Sequence, residues 1–115
     1  MMSYKKGDTV LVNFNPQKQK VEVGKVRPAI VVSDTTLNDI LDFITVVPLT
    51  TNLINDALPL RVRIPKKDNL HRDSDAMIEN IRAISKNRVS EKISSIKKDE
   101  LTMINDGLKA LLKLK

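Results

Sequence analysis

The sequence predicts a mainly β fold, a small and strongly bent sheet or barrel of five or six short strands with a C-terminal helix covering one open side. Two observations predict it. Up to about residue 96 the apolar residues fall in short runs that are either β-branched throughout or alternate with polar residues, which is the strand period. From about Lys98 the period lengthens to that of a helix. At 115 residues the chain can build one core but not two, so 1–115 is expected to be a single domain.

Taken in order, Lys6-Gly7-Asp8 is a turn that opens a strand from Thr9 to Phe14, with Val10, Val12 and Phe14 on one face and Leu11 and Asn13 on the other. Asn15-Pro16 closes it. Gln17 to Lys25 is polar and reads as a hairpin loop; its Lys18, Lys20 and Lys25 either contact phosphate or merely solvate the connection. Arg27-Pro28 leads into a strand from Ala29 to Ser33, a place where Pro is tolerated because the first strand residue need not donate to the ladder. Asp34 to Asp39 can carry a helical turn capped by Asp34 or Thr35. The third strand runs from Phe43 to Leu49 and leaves the core at Thr50-Thr51-Asn52.

Ala57 to Ile64 alternates, with Leu58, Leu60, Val62 and Ile64 on one side and Arg61 and Arg63 on the other. It is expected to be a half-buried strand whose arginines bind phosphate or keep an outer strand soluble. Asn69 to Asp75 is a polar loop before a fifth strand, Ala76 to Ile84, which Glu79, Asn80 and Arg82 interrupt. Such an interruption marks either a site or the polar face of an edge strand. Ser85 to Arg88 is a helical turn and Lys92 to Ile96 a last strand with Ile93 and Ile96 buried. In the helix from Lys98 to Leu114, Leu101, Ile104, Leu108, Leu111 and Leu112 form one stripe, and Asp99-Glu100 sits in the first turn, where the dipole favours acids. Gly107 is expected to weaken that helix by about 1 kcal/mol relative to Ala.

Composition removes several chemistries. There is no Cys and a single His, which leaves neither a disulfide framework nor a thiolate or multi-His metal site. His71 lies in a loop with no nucleophile elbow around any Ser and reads as a surface or capping residue. The three glycines are scattered, so no glycine-rich phosphate loop exists. The aromatics are Tyr4, Phe14 and Phe43 alone, so any RNA would be held mainly by cations, amides and backbone groups. No apolar run approaches the roughly 20 residues of a membrane span, nothing apolar follows Met1 to Lys6, and the protein is expected in the cytoplasm without a membrane partner. The net charge is +6, and all the excess is in the second half: residues 1–58 carry six basic and six acidic groups, residues 59–115 fourteen and eight. This basic half suggests an anionic partner, nucleic acid first, while lysines that only solubilise a helix face explain it at least equally well.

If the strands entered at Arg27 and left at Thr50-Thr51 are neighbours, one guanidinium and one or two hydroxyls meet at the same sheet edge. The ordered set of Gly7-Asp8, Pro16, Glu22 and Gly24, Arg27-Pro28-Ala29-Ile30-Val31-Val32-Ser33, Val47-Pro48-Leu49-Thr50-Thr51, Arg72-Asp73-Ser74, Glu79-Asn80-Ile81-Arg82 and Arg88 resembles the MazF/PemK family of type II toxin–antitoxin toxins. The resemblance runs from Lys6 to the last helix. It implies an SH3-like β-barrel that forms a homodimer and cleaves single-stranded RNA with no metal or other cofactor. It also implies an antitoxin whose C-terminal segment blocks the RNA groove, with DNA reached only indirectly through that complex. Arg27 matches the family's catalytic arginine and Thr50 its catalytic threonine, while Glu22 and Gly24 match positions in the loop beside the site.

Attack of a ribose 2′-hydroxyl on the adjacent phosphate gathers charge on the non-bridging oxygens, which a forked cation such as Arg27 can hold. The products implied are a 2′,3′-cyclic phosphate and a 5′-hydroxyl. Thr50 is a poor base; Glu22 and Glu79 are the two candidate proton acceptors, with nothing in the sequence to prefer either. Lys18, Lys20, Gly24, Lys25, Thr51, Asn80 and Arg82 are the residues placed to contact RNA. The sequence departs from the family pattern at Met77 and Glu79, where some members have Arg and Asp, and at Val23 and Asn80, where many have Gln. The rival reading is a non-catalytic barrel of the same fold that binds nucleic acid or a protein target.

Overall fold

The computed structural model describes residues 3–14 and 26–115. Seven strands and two α-helices follow one another as β1 (Asp8–Asn13), β2 (Val26–Val31), α1 (Thr35–Ile40), β3 (Phe43–Thr50), β4 (Arg61–Ile64), β5 (Ser74–Met77), β6 (Arg82–Ser85), β7 (Val89–Ser95) and α2 (Lys98–Leu112). The expected mainly β fold with a C-terminal helix is the one found. All pairings are antiparallel, in the order β4-β5-β3-β2-β1-β7, and the sheet bends into an open, roughly barrel-like form. One edge of β3 is divided, with Phe43–Val46 pairing β6 and Leu49–Thr50 pairing β5.

Two expected strands are shorter than the alternation implied. In the stretch from Ala57, only Arg61–Ile64 pairs. Residues 57–60 form a turn closed by the Leu60 and Arg61 N–H groups on the Ala57 carbonyl, and Leu58 and Leu60 are exposed instead of inward. Pro59, which has no N–H to give a ladder, accounts for the break. The expected strand from Ala76 to Ile84 is two strands, joined by a 3-10 turn at Ile78–Asn80, and its first strand begins earlier, at Ser74. That turn is what lets the chain move along β3 from one pairing to the next.

Alternation along the strands gives the sheet two apolar faces. On one, Ile30, Val32, Val47, Leu49, Val62, Ile64, Ala76 and Ile78 cluster with Ile104 of α2. On the other, Val10, Val12, Ala29, Val31, Ile44, Val46, Ile84 and Val89 cluster with Tyr4. The helix stripe is longer than the surface it covers, since Ile104 is buried and Leu101 and Leu108 half-buried, but Leu111 and Leu112 are exposed. Gly107 has a use that propensity does not show. A Cβ there would stand 2.5 Å from the Pro59 carbonyl oxygen and 3.0 Å from Ile78 Cγ1, so its absence is what lets α2 lie against the 57–60 turn.

α1 begins as expected, with the Asp34 carboxylate accepting from the Leu37 N–H at 3.1 Å. Its Asn38 is buried, donating to the Tyr4 and Ser33 carbonyls and accepting from the Ser33 hydroxyl. The amide thereby ties the N-terminal segment to the end of β2.

Candidate functional site

In β2 and β3, Ala29, Ile30 and Val31 stand opposite Pro48, Val47 and Val46. Carrying that register two residues outward brings Arg27 opposite Thr50. Opposed residues of antiparallel strands share a face, and further pairings extend the row: Thr50 opposes Asp75 of β5, Asp75 opposes Arg63 of β4, and Arg27 opposes Val12 of β1. Across one face therefore run a cation, an acid, a hydroxyl and a second cation. With strands about 4.8 Å apart, Arg63 and Arg27 are separated by roughly 14 Å of sheet.

The two ends of this row differ. Asp75, 1% exposed, takes Arg63 Nε at 2.6 Å on Oδ1 and the Ile54 N–H at 2.8 Å on Oδ2, with Arg61 Nη1 at 3.9 Å. Burial pushes its carboxyl up, but the hydrogen bonds from Arg63 and Ile54 and the charges of Arg63 and Arg61 outweigh that and hold it below the ordinary carboxylate value. Arg63 also donates to Asn55 Oδ1 at 2.9 Å, and Arg61 reaches the Asn52 carbonyl at 3.4 Å and Glu79 at 3.5 Å. Both arginines are thus spent on fixing the segment that follows Thr50. Their partners give them a role that neither expectation named, structural support of that segment instead of phosphate binding or solubility.

Arg27, by contrast, is exposed, and among the described residues no carboxylate neutralises it. Thr50 is half-buried, and its Oγ1 accepts from the Asn52 N–H at 3.1 Å, which leaves the hydroxyl proton for another acceptor. Thr51 is exposed beside it. Arg82 of β6 opposes Val46, on the same face as Thr50 and about 13 Å from it along β3. Its guanidinium sits 5.2 Å from the centre of the Phe14 ring. Asn80 is exposed and donates weakly to Met77 Sδ at 3.5 Å. Glu79, also exposed, is turned toward Arg61. Lys18, Lys20, Glu22, Gly24 and Lys25 lie outside the described residues. His71 is exposed in its loop.

Asp75, expected in the polar loop that starts at Asn69, lies instead in β5. The available signal was an acid flanked by Ser74 and Ala76 at the start of an apolar run, opposite the alternating arginines of the preceding strand. Among the described residues no three His, Asp or Glu side chains gather closely enough to hold a metal ion, and no helix is long and apolar enough to cross a membrane.

Fold and face together define a small antiparallel β protein that presents, among the described residues, arginines without an acid partner and a threonine hydroxyl with its proton to give, a class suited to holding an anionic chain. The chain belongs to the family of PemK-like, MazF-like toxins of type II toxin–antitoxin systems, whose model matches residues 5–112. It is 29% identical over 105 residues to the endoribonuclease MazF of Staphylococcus saprophyticus, spanning 90% of this chain and 87% of that one. The fold superposes on MazF from Deinococcus radiodurans with a TM-score of 0.78 at 24% identity, covering 98% of this chain and 99% of the other. A MazE–MazF structure from the same organism gives 0.78 at 20% identity over the whole of both chains.

Proposed function

We propose that this chain is the toxin of a type II toxin–antitoxin module and acts as an endoribonuclease, cutting single-stranded RNA by attack of a ribose 2′-hydroxyl without a metal or other cofactor. The observation that carries the reading is the register that puts Arg27 and Thr50 opposite each other on one face. The family and the name of the staphylococcal relative support it.

Arg27 holds the non-bridging oxygens of the scissile phosphate with its two-pronged donor set, and its pull grows as charge develops there. Thr50, its oxygen engaged by the Asn52 N–H, donates its proton to the same phosphate. The 2′-oxygen forms its bond to phosphorus as the bond to the 5′-oxygen breaks. The 2′-hydroxyl proton goes to Glu22 or Glu79, and the departing 5′-oxygen takes a proton to become a hydroxyl. Arg82, Asn80 and Thr51 contact the strand on either side of the cut, joined by Lys18, Lys20, Gly24 and Lys25. One domain spans 1–115, the working form is a homodimer in the cytoplasm, and a cognate antitoxin blocks the RNA groove with its C-terminal segment. DNA is met only through the antitoxin.

The test is incubation of purified protein with a long single-stranded RNA in excess EDTA, beside the Arg27→Ala variant, with the cut ends mapped. Discrete cuts ending in 5′-hydroxyls, absent in the variant, are expected. Intact RNA from folded protein would refute the reading in favour of a binding barrel. Parallel Glu22→Gln and Glu79→Gln variants separate the two proton acceptors, because only loss of the true one removes the rising limb of the pH–rate profile.

A further inference from the structure

Residues 51–56, which follow Thr50, are all exposed, so no core contact fixes them. The groups that reach them from the sheet are charged side chains. Arg61 Nη1 donates to the Asn52 carbonyl at 3.4 Å, Asp75 Oδ2 accepts from the Ile54 N–H at 2.8 Å, and Arg63 Nη2 donates to Asn55 Oδ1 at 2.9 Å. These three are joined to one another, since Arg63 Nε lies 2.6 Å from Asp75 Oδ1 and Arg61 Nη1 lies 3.9 Å from Asp75 Oδ2. Asp75 is buried and the Arg61 side chain only 18% exposed. Burying such charges seldom adds net stability over apolar packing, so what the cluster secures is geometry. The geometry is that of Asn52, whose carbonyl is held by Arg61 and whose N–H donates to Thr50 Oγ1 at 3.1 Å. That bond decides what Thr50 offers. Threonine has three staggered χ1 wells, and a step from one to the next puts the methyl or the hydrogen where the hydroxyl was. A backbone N–H two residues on selects the well in which the oxygen is engaged and the hydroxyl proton points elsewhere.

We infer that Arg61 is a positioning residue of the cleavage reaction: through the Asn52 carbonyl it holds the Asn52 N–H on Thr50 Oγ1, and so keeps the Thr50 hydroxyl turned to the scissile phosphate. Asp75 and Arg63 brace the same segment from Ile54 and Asn55. The inference rests on the proposed ribonuclease function and gives a part in it to charges that touch no RNA. Arg61 is already neutralised by Asp75 and by Glu79, whose Oε1 lies 3.5 Å from its Nε. It therefore acts on the rate of the step and not on the attraction of the anionic strand, which falls to the arginines without an acid partner. A catalytic hydroxyl on an exposed segment needs such a brace, because a group displaced by about an ångström loses most of its effect.

The experiment takes two readings on wild type, Arg61→Gln, Thr50→Val and the double variant. The first is cleavage in EDTA of a short RNA that spans a mapped cut. Arg61→Gln should lower kcat by up to about 100-fold, the cost of a small misplacement, with KM unchanged, and should cost nothing further where Thr50→Val has already removed the hydroxyl. The second reading needs no RNA: the Thr50 χ1 rotamer, from NMR couplings to its γ-methyl carbon. One rotamer is expected in wild type, and averaging between rotamers in Arg61→Gln. An equal loss of kcat with and without the Thr50 hydroxyl, a raised KM in place of the lowered kcat, or a Thr50 rotamer indifferent to Arg61 overturns the positioning role and leaves the nuclease reading standing. A wild-type Thr50 that already averages overturns it with no variant at all, which keeps the test decisive even if Arg61→Gln folds poorly. Uncut RNA from folded wild type overturns the nuclease reading, while the couplings still decide whether Arg61 orients Thr50.

Discussion

Five arginines lie on or beside one face of this sheet, and they fall into two regions that the sequence does not distinguish. Arg61 and Arg63 alternate along β4 and are bound to Asp75, Glu79, Asn52 and Asn55. Arg27, Arg82 and Arg88 have no acid partner among the described residues. A neutralised guanidinium is a fastener, while an unneutralised one keeps its charge for a ligand. The difference is made by where the acids are placed: Asp75 sits opposite Arg63, whereas Val12 and Val46 sit opposite Arg27 and Arg82.

Substitutions sharpen that division. Arg27→Ala should lower the cleavage rate at least 100- to 1,000-fold, as loss of a donor to a developing oxyanion does, with an unchanged circular dichroism spectrum and melting temperature. A melted variant would move Arg27 into the fastener group. Asp75→Asn should act the other way, costing about 2 kcal/mol of stability through the lost ionic hydrogen bond and the partners left behind. Its carboxyl titrates lower in the folded chain than in the unfolded one, so the native state holds fewer protons in the window just below about pH 4. Wild-type stability should therefore fall with falling pH through that window, and Asp75→Asn should fall less. Equal acid sensitivity in urea titrations would show that Asp75 does not couple folding to pH.

Gly107→Ala is a control on the opposite face. Helix propensity alone would make it stabilising by about 1 kcal/mol, but the contact with the Pro59 carbonyl makes the expected sign destabilising, by about 1 kcal/mol net of overpacking. Cleavage per folded molecule should not change. A raised melting temperature would mean that the helix can shift away at no cost. The smallest effect is on salt dependence: Arg82→Gln or Arg88→Gln should reduce the slope of log K against log salt by about 0.7 for single-stranded RNA, and Arg63→Gln should leave it alone. A reduced slope for Arg63→Gln would erase the difference between the regions.

Much of this was legible in the chain. The β-branched runs gave β3 and, displaced toward the N-terminus, β2, which was expected over Ala29 to Ser33 and is found over Val26–Val31; the turn expected with an Asp34 or Thr35 cap is α1, capped by Asp34; and Arg27 and Thr50 were singled out by the family resemblance. Alternation overreached at Leu58 and Leu60, where a proline outweighed the pattern. It also could not place the 3-10 turn at Ile78–Asn80, which is set by β3 exchanging one partner strand for another. The roles of the five arginines were illegible for a related reason. Ion pairing depends on register between strands far apart in sequence, and Asp75 follows Arg63 by twelve positions with a loop between them.

The pairing of β1 with β7 sets residues 8–12 against residues 89–95. One border of β1 thus stays bare until residues 89–95 have been made and have left the ribosome. Long-range closures of this kind are late and slow compared with local ones. The sheet that carries Arg27 and Thr50 is complete only once β7 has docked on β1. Until then the face holding those two residues rests on a sheet that still lacks one of its strands.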